Sequence, residues 1–190
     1  MPATALLPDT SKLTFEDFCT FPADGKRHEL VDGEHFMSPA PNLKHQRIFG
    51  NLFASLRGFL RDQPFGRVFL SPVDVVFSEF DVVEPDLVFV STARSAILTE
   101  ANIQGAPDLV VEILSDSTRR HDLVTKRRLY ARFGVGEYWV IDPVVDTVSL
   151  FTLREGTLER RAELSMEAGE AITSPLLPSF VLPLPHLFEE

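Results

Sequence analysis

Three residues of this chain are of the types that phosphodiester chemistry uses, and two sit where an apolar side chain would be expected: Asp86, Glu112 and Lys126. Glu112 interrupts the run DLVVEIL over residues 108–114, and strand alternation places it on one face with Val110 and Leu114. An unpaired carboxylate there costs several kcal/mol or takes up a proton, so a cation, a metal ion or hydrogen-bond donors must be near. The plainer alternative is a glutamate at a strand end that reaches solvent or pairs with an arginine. Asp86 follows Glu84-Pro85 and opens the run LVFV, with Pro85 suited to a strand's first position. If the two strands are neighbours, roughly 4.8 Å apart, Asp86 and Glu112 converge on one ion. Two hard oxygen ligands suit Mg²⁺ or Mn²⁺. Asp86 reads equally well as a turn or capping acid, and Asp108, which shares the strand parity of Glu112, competes as its partner.

Lys126 comes from a helical wheel over residues 119–133. Leu123, Leu129, Tyr130 and Phe133 form one arc, while Arg120, His121, Arg127, Arg128 and Arg132 form the other. Lys126 projects into the apolar arc, with Asp122 and Arg119 beside it. Either it forms an i,i+4 pair with Asp122 and snorkels outward, or it points at the strand mouth and meets Glu112. In the second case the three residues supply what phosphodiester hydrolysis needs: carboxylates for a divalent ion, and a cation near the attacking water or the phosphorane.

The elements that must position these groups are legible in part. After a short helical stretch near residues 14–20, HELVDGEHF reads as two strands about Asp32-Gly33, a hairpin turn signal. From Lys44 to Arg61 the residues Ile48, Phe49, Leu52, Phe53, Leu56, Phe59 and Leu60 recur at helical spacing behind Asn42 as cap. Residues 67–78, 86–90 and 108–114 read as strands. A second helix is predicted over 118–133, capped by Ser117 or Thr118 and stopped by Gly134. Residues 137–141 and 147–153 read as two further strands. Several strands are apolar throughout, so helices should cover both faces of the sheet. The Pro-rich tail PLLPSFVLPLPHLF cannot form a regular helix and is too apolar to float, so it packs on the core or docks on a second subunit.

Composition narrows the function. At 190 residues with mean hydropathy +0.04, the chain is expected to be a single domain: an N-terminal extension to about residue 40, a core over about 41–155, and the tail from about 172. No apolar run approaches the roughly 20 residues that cross a bilayer, and the N-terminus lacks the pattern of a signal peptide. The expectation is a cytoplasmic protein with no membrane association. One cysteine, Cys19, excludes an intrachain disulfide and a cysteine zinc cluster, so any metal is held by carboxylate or imidazole. A net charge of −10 argues against coating nucleic acid by bulk attraction. Residues 119–132 nonetheless hold six of the 18 basic residues. Of these, Arg119, Arg120, Arg127 and Arg128 are candidate phosphate contacts, unless the stripe is simply a solvated helix face. No G-x-S-x-G elbow, GxxxxGK loop, HExxH or paired CxxC is present.

The segments EPDLVFV and APDLVVEILSDSTRRHDLVTKRRLYARFGVGEYWVIDP resemble the signature of a large bacterial family of restriction-endonuclease-like proteins, long catalogued as a domain of unknown function in the PD-(D/E)XK superfamily. The resemblance extends to HELVDGEHFMSPAPNLKHQRIFGNL and PLLPSFVLPLPHLF, nearly the whole chain. It implies a restriction-endonuclease-like α/β core of helix, three strands, helix and further strands, with a central mixed sheet flanked by helices. In that pattern Asp86 takes the PD position and Glu112 the (D/E) position. The lysine expected two residues after the acid is Leu114 here, and Lys126 is the candidate to replace it from the following helix. Glu29 and His45 match family motif positions and either complete the metal shell, position substrate or serve structure. Asp122 and Tyr130 would orient Lys126. The reading is a Mg²⁺- or Mn²⁺-dependent nuclease acting on DNA, as a homodimer whose apolar tail wants a partner. The alternatives are a catalytically weak or inactive nuclease-fold binding or regulatory module, and a metal-dependent hydrolase of small phosphoesters.

Overall fold

The computed structural model describes residues 12–189, so the reading of the extreme N-terminus lies largely outside it. After a short helix α1 (Phe15–Phe18) come strands β1 (Arg27–Val31) and β2 (Glu34–Ser38). Asp32 and Gly33 turn between them with φ of 53° and 76°, the double positive φ of a type I′ hairpin turn. Helix α2 (Leu43–Asp62) starts where Asn42 accepts a hydrogen bond from the His45 N–H at 2.9 Å. Its buried residues Ile48, Leu52, Leu56 and Leu60 lie on one face.

The stretch read as one strand over 67–78 is two, β3 (Gly66–Leu70) and β4 (Val75–Ser78), in different sheets. Pro72 between them has no N–H to give a ladder, which ends β3 and lets the chain change sheets. Strands β5 (Asp81–Val83), β6 (Leu87–Ser91), β7 (Ile103–Gln104) and β8 (Leu109–Ile113) follow. The second long helix is also not the regular one expected. Its start is fastened by Ser115, whose Oγ accepts from the Thr118 N–H and whose carbonyl accepts from the Arg119 N–H. Residues His121–Lys126 are π-helical before the chain settles into α3 (Arg127–Phe133). Gly134, with φ of 81°, ends it in the left-handed conformation that glycine accepts without strain. Strands β9 (Glu137–Asp142), β10 (Thr147–Arg154) and β11 (Thr157–Ser165) come next. The last of these escaped the sequence reading because only Leu158 on it is fully buried. The tail forms a hairpin, β12 (Ala171–Ser174) with β13 (Leu177–Pro183), and a one-turn helix α4 (Leu184–Phe188) that carries Pro185 in its first turn.

The main sheet has six strands in the order β11-β10-β9-β8-β6-β3, mixed because β8 and β9 run parallel while the other pairs are antiparallel. One face carries Leu87, Phe89, Val111, Ile113 and Trp139 against α2 and the C-terminal hairpin. The opposite face carries Val88, Val110, Tyr138 and Val140 against Leu129 and Tyr130 of α3 and against Val31, Val75 and Val83 of a second, five-stranded sheet, β2-β1-β5-β4-β7. With both faces covered, β6 and β8 need no polar alternation, which is why they read as continuous apolar runs. Among the described residues no helix is long and apolar enough to cross a membrane.

The tail thus packs on its own chain. Phe180 is buried and stacks against Trp139 with ring centroids 6.4 Å apart, and Ser174 Oγ donates to the buried carboxylate of Glu137 at 3.0 Å. Phe180→Ala is expected to destabilise the protein by about 3–5 kcal/mol, measured by denaturant unfolding. A change below about 1 kcal/mol would mean that this tail does not belong to the core.

Candidate active site

Strands β6 and β8 are antiparallel neighbours with Leu87 opposite Val111 and Val88 opposite Val110. Continuing that register by one residue sets Asp86 opposite Glu112, both on the face covered by α3 and the five-stranded sheet. The two acids open onto a pocket framed by the loop of residues 38–42, by Ser115 and by Thr118. Glu29, Asp86, Glu112, Asp122 and Lys126 each expose 2% of their surface or less, so every charge here must be answered by another protein group, a proton or a ligand.

Lys126 is the centre of this arrangement. Its Nζ lies 2.7 Å from Glu29 Oε1, 2.9 Å from Glu112 Oε1 and 3.5 Å from Asp122 Oδ1. Tyr130, one turn further along, donates its hydroxyl to the same Glu112 Oε1 at 2.7 Å. Both hydrogen bonds to Glu112 therefore fall on Oε1, and among the described residues none falls on Oε2. The π-helical turn that delivers Lys126 carries i→i+5 bonding, an irregularity often found at functional sites.

Asp86 is held by its other neighbours. Its Oδ2 accepts from the Ile113 N–H at 2.7 Å and lies 3.3 Å from His45 Nε2, and its Oδ1 accepts from Arg27 Nη2 at 2.9 Å. His45 is buried in the first turn of α2, where the Asn42 cap fixes its backbone. Glu29, on β1, accepts from the Glu84 N–H and from Lys126 through Oε1. Its Oε2 and His121 Nε2 lie 3.7 Å apart, and neither has a hydrogen-bond partner among the described residues.

Of the residues singled out in the sequence, Asp86, Glu112, Lys126, Glu29, His45, Asp122 and Tyr130 thus come together. Asp108 does not. It stands at the far end of β8, where its carboxylate accepts from the Ser91 N–H at 2.7 Å and secures a turn. The arginines of residues 119–128 also fall outside the pocket lining. Arg119 makes a two-pronged ion pair with Asp142 at 2.7 and 2.8 Å, Arg127 lies 5.2 Å above the Phe151 ring, and Arg120 and Arg128 are exposed. The cation the pocket holds beside Lys126 is Arg27, missed in the sequence together with Glu84 and His121. A usable signal existed: Arg27 shares strand parity with Glu29, and Glu84 with Asp86, so period two puts each pair on one face.

Four buried acids surround two permanent cations, and the protons distribute accordingly. Burial pushes Glu29 and Asp86 upward, but Lys126 and His121 outweigh it for Glu29, and His45 and Arg27 do so for Asp86. Both are held down at about 2. Burial likewise pushes the Lys126 ammonium down, but Glu112, Glu29 and Asp122 together hold it above its ordinary value. Glu112 is the acid left over. Burial, reinforced by Asp122, Asp86 and Glu29, outweighs Lys126 and pushes it up to about 8. Asp122 is also raised, chiefly by burial. Burial and the adjacent Glu112 carboxylate keep the Tyr130 hydroxyl protonated as a donor.

These assignments fix a pH dependence for the metal-free protein. The folded Glu112 carboxyl keeps its proton up to about pH 8, whereas the unfolded one releases it near its ordinary 4.5. Its stabilising effect is therefore complete below pH 4.5 and is lost as pH rises through 8. Glu29 and Asp86 act at the acid end, where stability falls as pH drops toward about 2. In chelator, Tm is expected to decline between about pH 5 and pH 8, Glu112 contributing up to about 1.4 kcal/mol per pH unit in unfolding free energy, with Asp122 and Glu84, the latter pushed up by burial to about 7, adding to the decline. Glu112→Gln should make that decline shallower, leaving the part due to Asp122 and Glu84. A wild-type slope identical to that of the variant would show that Glu112 is ionised in the folded protein.

Comparison with protein families matches residues 15–185 to the family Uma2, described as "Putative restriction endonuclease". No curated protein matches the chain. Among solved structures it is similar to a crystal structure described as a putative nuclease belonging to DUF820 from Anabaena variabilis ATCC 29413. The two share 22% identity over 93% of this chain and 97% of that one, with a TM-score of 0.78, a likeness that shows a common fold. A slighter likeness, to the type IIG restriction endonuclease BpuSI, has 14% identity over 80% of this chain and 16% of that one, and its TM-score of 0.41 is too low to bear on the fold. The family match covers nearly all the described residues and includes every residue of the pocket, and the chain belongs to the Uma2 family, "Putative restriction endonuclease".

Proposed function

We propose that the protein is a Mg²⁺- or Mn²⁺-dependent nuclease that hydrolyses phosphodiester bonds in DNA, with Asp86 and Glu112 holding the ion. The observation that carries this reading is the pairing of those two buried carboxylates on adjacent strands at the mouth of one pocket. The donor set fits such an ion. Burial, reinforced by the neighbouring acids, leaves Glu112 protonated despite Lys126, and its Oε2 accepts no hydrogen bond among the described residues. No group of three or more His, Cys, Asp or Glu side chains among the described residues is arranged to hold a metal. Two carboxylates suit Mg²⁺ or Mn²⁺, whose remaining ligands are water and substrate oxygens, rather than a closed zinc cage.

When bound, the ion would polarise a phosphoryl oxygen and ease ionisation of a water. Lys126 acts beside it as a fixed positive charge. Its raised pKa denies it the part of general base, so its contribution is to hold Glu112 in place and to stabilise negative charge that develops on phosphate. Tyr130 fixes the Glu112 oxygen that faces Lys126 and leaves the other to the pocket. His45 and the Ile113 N–H do the same for Asp86 Oδ2. The exposed Arg120 and Arg128 would meet a nucleic-acid backbone only beyond the pocket. A homodimer would present two such pockets to the strands of a duplex through surfaces other than the tail, which is folded onto its own core.

Incubation with plasmid and single-stranded DNA, with Mn²⁺ or with chelator, tests the reading. Cleavage by the wild type should require the ion. Asp86→Asn and Glu112→Gln should remove it, and Lys126→Met should slow it by about 10²–10³-fold. Cutting in chelator, or equal cutting by Glu112→Gln, would overturn the proposal. Ion binding without cutting would favour a nuclease fold used as a binding module.

A further inference from the structure

The oxygens of Asp86 are not equally available. Oδ2 faces the Ile113 N–H at 2.7 Å and His45 Nε2 at 3.3 Å, contacts built into the strand pair and the first turn of α2. Oδ1 is the oxygen left to a ligand, and its hydrogen-bond donor among the described residues is Arg27 Nη2 at 2.9 Å. The guanidinium therefore stands where an ion shared with Glu112 would have to approach. Arg27 is also held at its Nε, 3.2 Å from Glu84 Oε1, and its side chain is 17% exposed. It lines both the site pocket and an adjoining groove bordered by Gly25, Ser71, Pro72 and Glu84.

We propose that Arg27 is a resident counter-cation of the site, which a divalent ion displaces from Asp86 Oδ1 and which then presents its guanidinium to a phosphate of the substrate. The inference rests on the nuclease reading above. A guanidinium and a divalent ion at the same carboxylate oxygen repel each other, so occupation by the ion disfavours the Arg27 contact. Once displaced, the planar fork of Arg27 matches two phosphate oxygens, and the anionic substrate replaces the charge it left. Metal and substrate would thereby be coupled: the ion frees the arginine, and the phosphate keeps it from returning.

Calorimetry with Mn²⁺ alone, in the absence of nucleic acid, tests the displacement. Arg27→Met should bind Mn²⁺ about tenfold more tightly than the wild type, the loss of one charged competitor at the oxygen, while its KM for DNA rises. Arg27→Met that binds no more tightly overturns the inference. If that variant does not fold, the wild type decides by NMR. The Arg27 Nε–H signal, assigned by its loss in Arg27→Lys, should shift with Mg²⁺ over the same concentrations that calorimetry reports, and a signal that stays in place overturns the inference. Wild type that binds no divalent ion brings down the nuclease reading and this inference with it. Binding by the wild type with an indifferent Arg27 removes the role of the arginine alone.

Discussion

A single ammonium group answers three buried carboxylates in this protein, and the geometry of the site follows from that shortage of positive charge. Lys126 lies closest to Glu29, then to Glu112, then to Asp122. A buried charge without a partner is costly, so the acids cannot all ionise together. Glu29 takes the ammonium and stays charged, while Glu112 keeps a proton. Asp86, on the next strand, is charged through a separate set of partners. The site is consequently short of cation on the side that opens to the pocket, which is the condition a divalent ion would relieve.

Three parts of the chain that are remote in sequence meet to make this balance. The main sheet supplies Asp86 and Glu112 in register, the π-helical turn supplies Lys126, and the hairpin of β1 and β2 supplies Glu29 and Arg27 from a second sheet. The hairpin is tied to the main sheet by Arg27 to Asp86 and to the helical region by Lys126 to Glu29. The ion pairs are thus also the joints between layers, and in a low-dielectric interior losing one partner leaves the other charge stranded. Apolar packing on the far face of the sheet, from α2 and the C-terminal hairpin, holds the register on which the pair of acids depends.

How much of this was legible in the sequence depended on how local the signal was. Glu112 stood out because a carboxylate inside DLVVEIL has no place in an apolar strand, and Lys126 because it fell on the wrong arc of a helix. The Asn42 cap, the Asp32-Gly33 turn and the Gly134 stop are written in one or two residues each, and the structure has them where expected. The break between β3 and β4 is marked in the run 67–78 by Ser71-Pro72, a strand-breaking pair read through as one strand, while the change of sheet there is a tertiary event. The π-helical turn leaves no mark in composition, and the wheel drawn for a regular helix cannot show it. Arg27 was missed for a related reason. Its partners Glu84 and Asp86 lie in the connection between β5 and β6, more than fifty residues away, and no spacing within one segment reports a pair made between remote segments. Asp108 shows the converse, since shared parity with Glu112 does not bring together the two ends of one strand.

On the proposed reading, Asp86 and Glu112 form a site for a divalent ion whose occupation exchanges the Glu112 proton for metal. Calorimetric titration of Mn²⁺ near pH 7 in two buffers of different ionisation enthalpy measures binding and proton release together. The wild type should bind the ion and release about one proton, and Glu112→Gln should show no such binding. Binding that releases no proton, or that persists unchanged in Glu112→Gln, would contradict that reading.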